Sequence, residues 1–176
     1  MTAHHESAQL SRRRLLIGGA AVAGLTAAAA AAGSVVAPAA NAATYVRPIR
    51  NATAHPITAQ WRQPGSWEAG YHTGVDIGCP IGTPVYATIG GDVRTGRANW
   101  GAAYGTMILI NDDVDGSDWG YCHLSRRVVS DGQKVATNQL IGYSGDTGNT
   151  RGPHLHLERR PRYGGYGSDL NPNLWP

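Results

Sequence analysis

The sequence predicts an all-β fold, either a sandwich or a barrel. Short runs rich in β-branched and aromatic residues recur along the chain, and turn signals rich in Gly, Pro and Asp separate them. Beyond residue 42, no window keeps the 3.6-residue apolar period of an amphipathic helix. Many closely spaced strands joined by glycine-rich turns are typical of sandwiches and barrels.

The first 42 residues are expected to be an export signal and not part of the domain. Residues 11–14 are basic with a twin arginine, residues 15–33 are apolar and rich in Ala and Gly, and residues 40–42 offer a small-x-small cleavage site. This order predicts export by the twin-arginine route. The alternative is an N-terminal membrane anchor that stays attached, although the apolar stretch is near the lower length limit for spanning a bilayer.

The charge balance gives no reason to expect a nucleic-acid partner. The 176 residues hold 15 Lys and Arg against 12 Asp and Glu, but three of these arginines and one glutamate lie in the first 42 residues. The remaining 134 residues therefore hold 12 basic and 11 acidic side chains and are nearly neutral. A chain of this length can bury one modest hydrophobic core. The basic run 159–162 is expected to be a solvated edge, or else a contact for an anionic polymer.

Residues 43–65 are expected to be an N-terminal extension, followed by a single domain over 66–176. Within the domain, seven runs are predicted to be strands: 71–77, 83–88, 91–97, 106–111, 119–124, 140–144 and 154–158. The Asp-Gly pair at 115–116 predicts a hairpin. The acidic turn 111–118 resembles the start of a calcium loop, but Cys122 stands where such a loop needs Glu, so a solvated hairpin tip is expected.

Two histidines in the last predicted strand are candidates for a reactive site. Alternation places His154 and His156 on one face of the strand and Leu155 and Leu157 on the other. Their Cβ atoms would lie about 6–7 Å apart, so one imidazole can hold a metal while its neighbour reaches a substrate. A strand with two exposed histidines is the alternative, and spacing alone does not say which histidine would hold the metal.

A second candidate is the pair His72 and Asp76. A straight strand would separate their Cβ atoms by about 13 Å, too far for one ion, so the backbone must bend between them, and Gly74 allows this. The alternative is an ordinary turn.

A third candidate is His123. Alternation is expected to place Tyr121 and His123 on one strand face and Cys122 and Leu124 on the other. A lone histidine in a strand is more often structural than catalytic.

The histidine inventory favours a catalytic zinc site. Of the five histidines after residue 42, only His55 lies outside these three motifs. Catalytic zinc takes three protein ligands and leaves a fourth position open. The ligands would be His72, Asp76 and one of the pair in the last strand, and the other two histidines would be acid–base groups.

The sequence resembles the lysostaphin-like (LytM-type) zinc metallopeptidases, which cut peptidoglycan. The resemblance covers about residues 66–172, and order and spacing agree. The matching segments are 70–77, 80–87, 121–125, 142–148 and 152–158. The resemblance implies a compact antiparallel β fold with an active-site groove across the sheet.

The resemblance also implies roles for the candidate residues. His72, Asp76 and His156 would hold one zinc ion per chain, and His154 and His123 would be the catalytic histidines, in roles that are not divided between them. The implied function is a zinc metalloendopeptidase acting on bacterial peptidoglycan. With the predicted export signal, we expect a secreted monomer without stable membrane insertion once the signal is cleaved. The alternatives are a peptidoglycan amidase and a non-catalytic wall-binding or activator module.

Two cysteines, a glutamate and four aromatic residues are also expected near this implied site. If the motifs converge on one zinc ion, Cys79 and Cys122 become neighbours, so a disulfide between them is expected. The alternatives are two buried free thiols and a thiol that binds zinc, although Cys122 is expected to face away from His123. Glu158 shares the strand face of the two histidines and would orient one of them, unless it lies at the surface. Four aromatic residues would line the groove or pack in the core: Tyr71, Trp100, Tyr104 and Tyr121.

Overall fold

The computed structural model describes residues 44–95 and 100–176, so the predicted export signal lies outside the described residues. Within these ranges the chain is almost entirely strand and turn, with one short 3-10 helix, Ala102–Tyr104. The strands are β1 (Ile57–Ala59), β2 (Val75–Gly78), β3 (Pro84–Tyr86), β4 (Gly91–Val93), β5 (Ile108–Asp112), β6 (Asp118–Cys122), β7 (Arg126–Arg127), β8 (Lys134–Val135), β9 (Leu140–Tyr143) and β10 (His154–Arg160). Among the described residues, no helix is long and apolar enough to cross a bilayer.

The strands form two antiparallel sheets, as the sequence predicts. The larger sheet has the order β1-β2-β10-β6-β5-β4-β8, and the smaller has the order β3-β9-β7. β10 lies between β2 and β6 and pairs antiparallel with both. This central position brings residues from three distant parts of the chain onto adjacent strands.

Each of the seven predicted runs overlaps an observed strand, whereas β1, β7 and β8 were not predicted. β7 and β8 have only two residues each, too few to show alternation, and β1 lies in the predicted extension, which has little periodicity. The predicted hairpin is confirmed, because β5 and β6 pair across a turn in which Gly116 adopts a φ of 72°. The Asp115 carboxylate accepts a hydrogen bond of 2.8 Å from the Ser117 N–H within that turn.

The two faces of the large sheet differ sharply in chemistry. Along β10, Leu155 and Leu157 are fully buried in the main hydrophobic core, together with Ile77 of β2 and Tyr121 of β6. His156 and Glu158 alternate with these leucines and lie on the opposite face. The alternation that the sequence predicts for β10 is therefore present.

The predicted N-terminal extension contributes to the same core. Ile49 is fully buried in it, and β1 pairs with β2. The backbone of the extension also bonds to the segment around β3, since the Val46 N–H donates to the Thr88 carbonyl over 2.9 Å. Burial and hydrogen bonding thus reach well before residue 66.

The predicted disulfide is wrong. Cys122 lies directly opposite His156 in the β10–β6 register and packs with Tyr104, Met107 and Leu109 on the site face. Cys79 belongs to the main core, on the other face. Both thiols are buried and free. Residues that lie on opposite faces of one sheet cannot bring their sulfur atoms into bonding distance.

The expectation of a solvated basic edge is wrong for two of its arginines. Arg160 is only 2% exposed, because it continues the site face of β10. The Arg159 side chain pairs with Asp115 in the β5–β6 turn and lies against the Trp119 ring. The sequence run gave no sign that acidic partners lie within reach.

Candidate metal centre

Three side chains converge near the N-terminal end of β10 and form a compact triangle. His72 Nε2 lies 3.1 Å from Asp76 Oδ1, and His156 Nδ1 lies 2.8 Å from the same oxygen. The two histidine nitrogens lie 3.1 Å apart. Within the described residues, this is the one group of His, Cys, Asp and Glu side chains compact enough to share a metal ion.

Strand pairing positions two corners of the triangle. His156 lies opposite Asp76 in the antiparallel register of β10 and β2, and side chains of directly paired residues share a face. His72 precedes β2 in a segment tied to its neighbour by backbone bonds, Arg62 N–H to the His72 carbonyl and His72 N–H to the Gln63 carbonyl, both 2.9 Å.

The predicted bend between His72 and Asp76 is present at Thr73 and Gly74. Glycine is needed there because β10 passes very close. A Cβ at position 74 would lie 2.3 Å from the Leu157 carbonyl oxygen and 2.8 Å from Cε1 of His156. The absence of a side chain thus allows the backbone before β2 to fold against the metal-facing strand.

The donor set fits a zinc ion. The Gln60 carbonyl lies 3.1 Å from His72 Nδ1, and a carbonyl only accepts, so the proton is on Nδ1 and the Nε2 lone pair faces the triangle. His156 Nε2 likewise donates to the Glu158 carboxylate over 3.1 Å, which leaves Nδ1 as the metal-facing atom. Zinc bonds of about 2.05 Å at tetrahedral angles place ligand atoms about 3.3 Å apart, close to the separations observed.

Without a metal, charge attraction holds the triangle together. Burial works to raise the pKa of Asp76, but hydrogen bonds from His156 and His72 outweigh it and hold that pKa well below its usual range. Burial works to lower the pKa of His156, yet bonds to Asp76 and Glu158 raise it to about 9. A metal ion entering the triangle therefore displaces a proton.

His123 and His154 form a second pair of imidazoles beside the triangle. Their ring centroids are 4.7 Å apart, and His154 Nε2 lies 3.6 Å from Asp76 Oδ1. The Thr147 carbonyl accepts from His123 Nδ1 at 2.7 Å, and the Gly152 carbonyl accepts from His154 Nδ1 at 2.8 Å. When either ring is neutral, its proton is therefore on Nδ1 and its lone pair is on Nε2. Burial, ahead of other influences, lowers the pKa of His123 to about 4.

The predicted orientation of His123 relative to its neighbours is wrong. β6 ends at Cys122, and His123 adopts a left-handed φ of 60°, which ends the alternation. Cys122 and His123 consequently both lie on the metal side, whereas Tyr121 and Leu124 lie in the core. The structure nevertheless brings all five predicted site residues together.

The aromatic residues divide between the site and the core. Tyr121 is fully buried on the core face, where its hydroxyl accepts from the Thr88 N–H at 2.8 Å. Tyr104 lies on the site face and donates to Glu158. Trp67, which sequence reasoning missed, stacks beside His72 with ring centroids 4.8 Å apart. A single tryptophan outside any motif carries no pattern that would have identified it.

A family profile and individual relatives of known sequence both match this chain. Residues 70–172 match the sequence profile of peptidase family M23. Over 125 residues the chain is 37% identical to lysostaphin from Staphylococcus simulans, covering 64% of this chain and 25% of that protein. It is also 37% identical over 114 residues to peptidoglycan DD-endopeptidase ShyA of Vibrio cholerae, covering 59% of this chain and 26% of that protein. The match thus spans about a quarter of these relatives.

Solved structures show the same fold. The lysostaphin catalytic domain from Staphylococcus simulans aligns with a TM-score of 0.58 and 34% identity, over 65% of this chain and 85% of that chain. A zinc-containing peptidase from Vibrio cholerae aligns with a TM-score of 0.57 and 31% identity, over 67% of this chain and 36% of that chain. Because the profile match covers more than half of the 176 residues and includes all five converging side chains, the chain belongs to peptidase family M23.

Proposed function

We propose that this chain is an exported zinc metalloendopeptidase that hydrolyses peptide bonds of bacterial peptidoglycan. The observation that carries the proposal is the triangle of His72, Asp76 and His156 with the bases His123 and His154 beside it. The names of the M23 relatives, lysostaphin and a peptidoglycan DD-endopeptidase, support the wall polymer as substrate.

In this proposal His72, Asp76 and His156 hold the zinc ion. A zinc ion so held supplies a Lewis acid that polarises a peptide carbonyl and acidifies water. The protein contributes the geometry, because hydrogen bonds to the outer nitrogens of both histidines direct their lone pairs inward. Asp76 contributes a negatively charged ligand, which offsets part of the charge of a divalent cation.

His123 and His154 supply proton transfer. Both keep an unprotonated Nε2 when neutral, and the low pKa of His123 keeps that ring neutral at pH 7. A neutral imidazole can take a proton from an attacking water and return it to the departing amine. Once protonated, either ring also stabilises negative charge that develops on the carbonyl oxygen.

The site of action in this proposal is outside the cell membrane, in the wall or the medium. The basic, apolar and small-residue regions of 1–42 support export by the twin-arginine route. Peptidoglycan, the substrate proposed here, also lies outside the membrane. A monomer suffices, since one chain supplies all five converging side chains.

Mass spectrometry of purified cell wall digested with and without a chelator tests the activity. The expected products are peptides with new amine ends inside the stem or cross-bridge, formed only when zinc is available. Release of intact stem peptides from the sugar would show an amidase instead. Tight wall binding without new products would show a non-catalytic module.

Two alanine variants test the division of roles. His156→Ala is expected to lose bound zinc, because it removes one of three ligands. His154→Ala is expected to keep zinc and lose turnover by about 100-fold or more, the usual contribution of a positioned acid or base. Zinc content by elemental analysis and wall hydrolysis are measured on the same preparations. Normal hydrolysis by both variants would contradict the site assignment.

A further inference from the structure

A buried carboxylate lies directly behind the metal-facing histidine of β10. Glu158 is completely buried, although a glutamate in a strand normally reaches solvent. It lies two residues after His156 on the same strand face, and its complete burial rules out a position at the surface. A charged group in this position must be fully compensated by its neighbours.

Hydrogen bonds compensate both oxygens of Glu158. Oε2 accepts from Thr73 Oγ1 at 2.8 Å, from the Tyr104 hydroxyl at 3.1 Å and from His156 Nε2 at 3.1 Å. Oε1 accepts from Nε of Arg160. Only one of these bonds involves a proposed metal ligand, and the other three fix where the carboxylate lies.

Arg160 is itself fixed in the same layer. Its Nη2 donates to the Tyr104 hydroxyl over 2.6 Å, so the arginine reaches Glu158 both directly and through the tyrosine. The guanidinium also lies over the Trp100 ring, 3.8 Å from its centroid. Arg160 is 2% exposed and Tyr104 is 9% exposed, so this arrangement is closed to bulk water.

The histidine on the other corner of the triangle is held differently. His72 is oriented by the backbone carbonyl of Gln60, which no side-chain substitution removes. His156 depends on a side chain, and that side chain depends on three further side chains. The geometry of the triangle is therefore most sensitive to substitution of the side chains whose hydrogen bonds connect Arg160 to His156.

From this geometry we infer that Glu158 is a positioning residue that sets the affinity of the triangle for zinc. Held by Arg160, Tyr104 and Thr73, it keeps the proton of His156 on Nε2 and the ring turned so that Nδ1 faces Asp76. An anionic acceptor behind the ring also makes Nδ1 a stronger donor to a metal. The inference rests on the proposed role of His156 as a zinc ligand.

Zinc affinity, measured by competition with a chromogenic chelator, is the direct test. Glu158→Gln keeps the size of the side chain but cannot accept from all four donors, since its amide nitrogen only donates. Its zinc affinity is expected to fall about 10- to 100-fold, the usual effect of losing such an outer partner. A folded Glu158→Gln protein with wild-type affinity would overturn the inference.

A pair of tyrosine variants keeps the test decisive if Glu158→Gln does not fold. Tyr104→Phe removes the hydroxyl between Arg160 and Glu158, and Tyr121→Phe removes a buried hydroxyl on the opposite face of the same sheet. Both variants are expected to lose thermal stability. Only Tyr104→Phe is expected to weaken zinc binding and to alter the visible spectrum of the Co²⁺-substituted protein.

Equal zinc affinities and Co²⁺ spectra for the two tyrosine variants would show that Glu158 and its partners serve stability alone. His156→Ala separates this failure from failure of the proposed function. If His156→Ala keeps full zinc affinity, the ligand assignment itself is wrong. If His156→Ala loses zinc while Tyr104→Phe and folded Glu158→Gln keep it, only the positioning role is wrong.

Discussion

At the scale of single residues, every imidazole of the site has one ring nitrogen held by an oxygen atom. Backbone carbonyls hold Nδ1 of His72, His123 and His154, and the Glu158 carboxylate holds Nε2 of His156. When a ring is neutral, this bond fixes which nitrogen carries the proton and which offers a lone pair. The chemistry available at the site is therefore set by partners that lie outside it.

The lowered pKa of His123 makes the free energy of unfolding depend on pH. Its folded pKa of about 4 lies below the usual value near 6.5, so between these values the unfolded chain binds a proton that the folded chain does not. Stability therefore rises with pH through this window and is lost as the pH falls from 6.5 toward 4. His123→Asn is expected to remove about 1–2 kcal/mol of that dependence, allowing for partial solvent screening.

Denaturant unfolding of both proteins at pH 7 and pH 4.5, in chelator, measures this difference. Asparagine is suited to the comparison, because position 123 has a φ of 60° and asparagine tolerates the left-handed region. An identical pH dependence in the two proteins would contradict the prediction.

The same residue shows where sequence reasoning failed. Alternation correctly placed His154 and His156 on one face, because β10 is regular over seven residues. It failed at His123, because β6 ends at Cys122 and the left-handed φ of His123 places its side chain on the same side as that of Cys122. The burial of Arg160 was also missed. Its ion pair with Glu158 could not be recognised from the sequence, because nothing there shows that both side chains are buried.

At the scale of elements, the site depends on the contact between the segment before β2 and strand β10. Gly74 lies where these two backbones are so close that there is no room for a Cβ atom. The sequence showed that a bend was needed there, but not that the strand carrying His156 would fill the space beside it. Long-range pairing of this kind leaves no local signal.

Gly74→Ala is expected to push β10 away from the bend. The added Cβ would overlap the Leu157 carbonyl oxygen at 2.3 Å and the His156 ring at 2.8 Å. Overpacking of this kind costs about 1–3 kcal/mol of unfolding free energy, and displacement of His156 is expected to weaken zinc binding as well. Chemical denaturation and chelator competition measure the two effects.

Gly165→Ala is the matched control. A Cβ at position 165 would meet no atom within 4 Å, so stability is expected to change by less than about 0.5 kcal/mol. Equal behaviour of the two variants would show that the contact at Gly74 is not tight.

At the scale of the whole molecule, the described residues before position 66 are part of the folded unit. Ile49 is fully buried in the main core, and the Gln60 carbonyl orients the ring of His72. The indole of Trp61 donates to Asp169 over 2.6 Å, and the nearby Arg62 pairs with the same carboxylate at 3.0 Å. This poorly periodic stretch gave no sequence signal for such contacts.

A fragment of residues 66–176 is therefore expected to fold poorly, whereas 44–176 is expected to fold and bind zinc. Loss of a buried side chain such as Ile49 alone costs about 2–5 kcal/mol. The shorter fragment also loses β1, and a typical domain has only about 5–15 kcal/mol in total. Circular dichroism melts and zinc content of both fragments measure the effect. A stable, zinc-loaded shorter fragment would show that the early contacts are dispensable.

The two faces of β10 carry different side chains for different tasks, and this limits which mutations the strand can accept during evolution. Odd-numbered positions Leu155 and Leu157 serve the core, and even-numbered positions His156 and Glu158 serve the site. Point substitutions can therefore tune one task while sparing the other. Inserting or deleting a single codon within the strand would exchange the two sets of side chains and abolish folding and chemistry together.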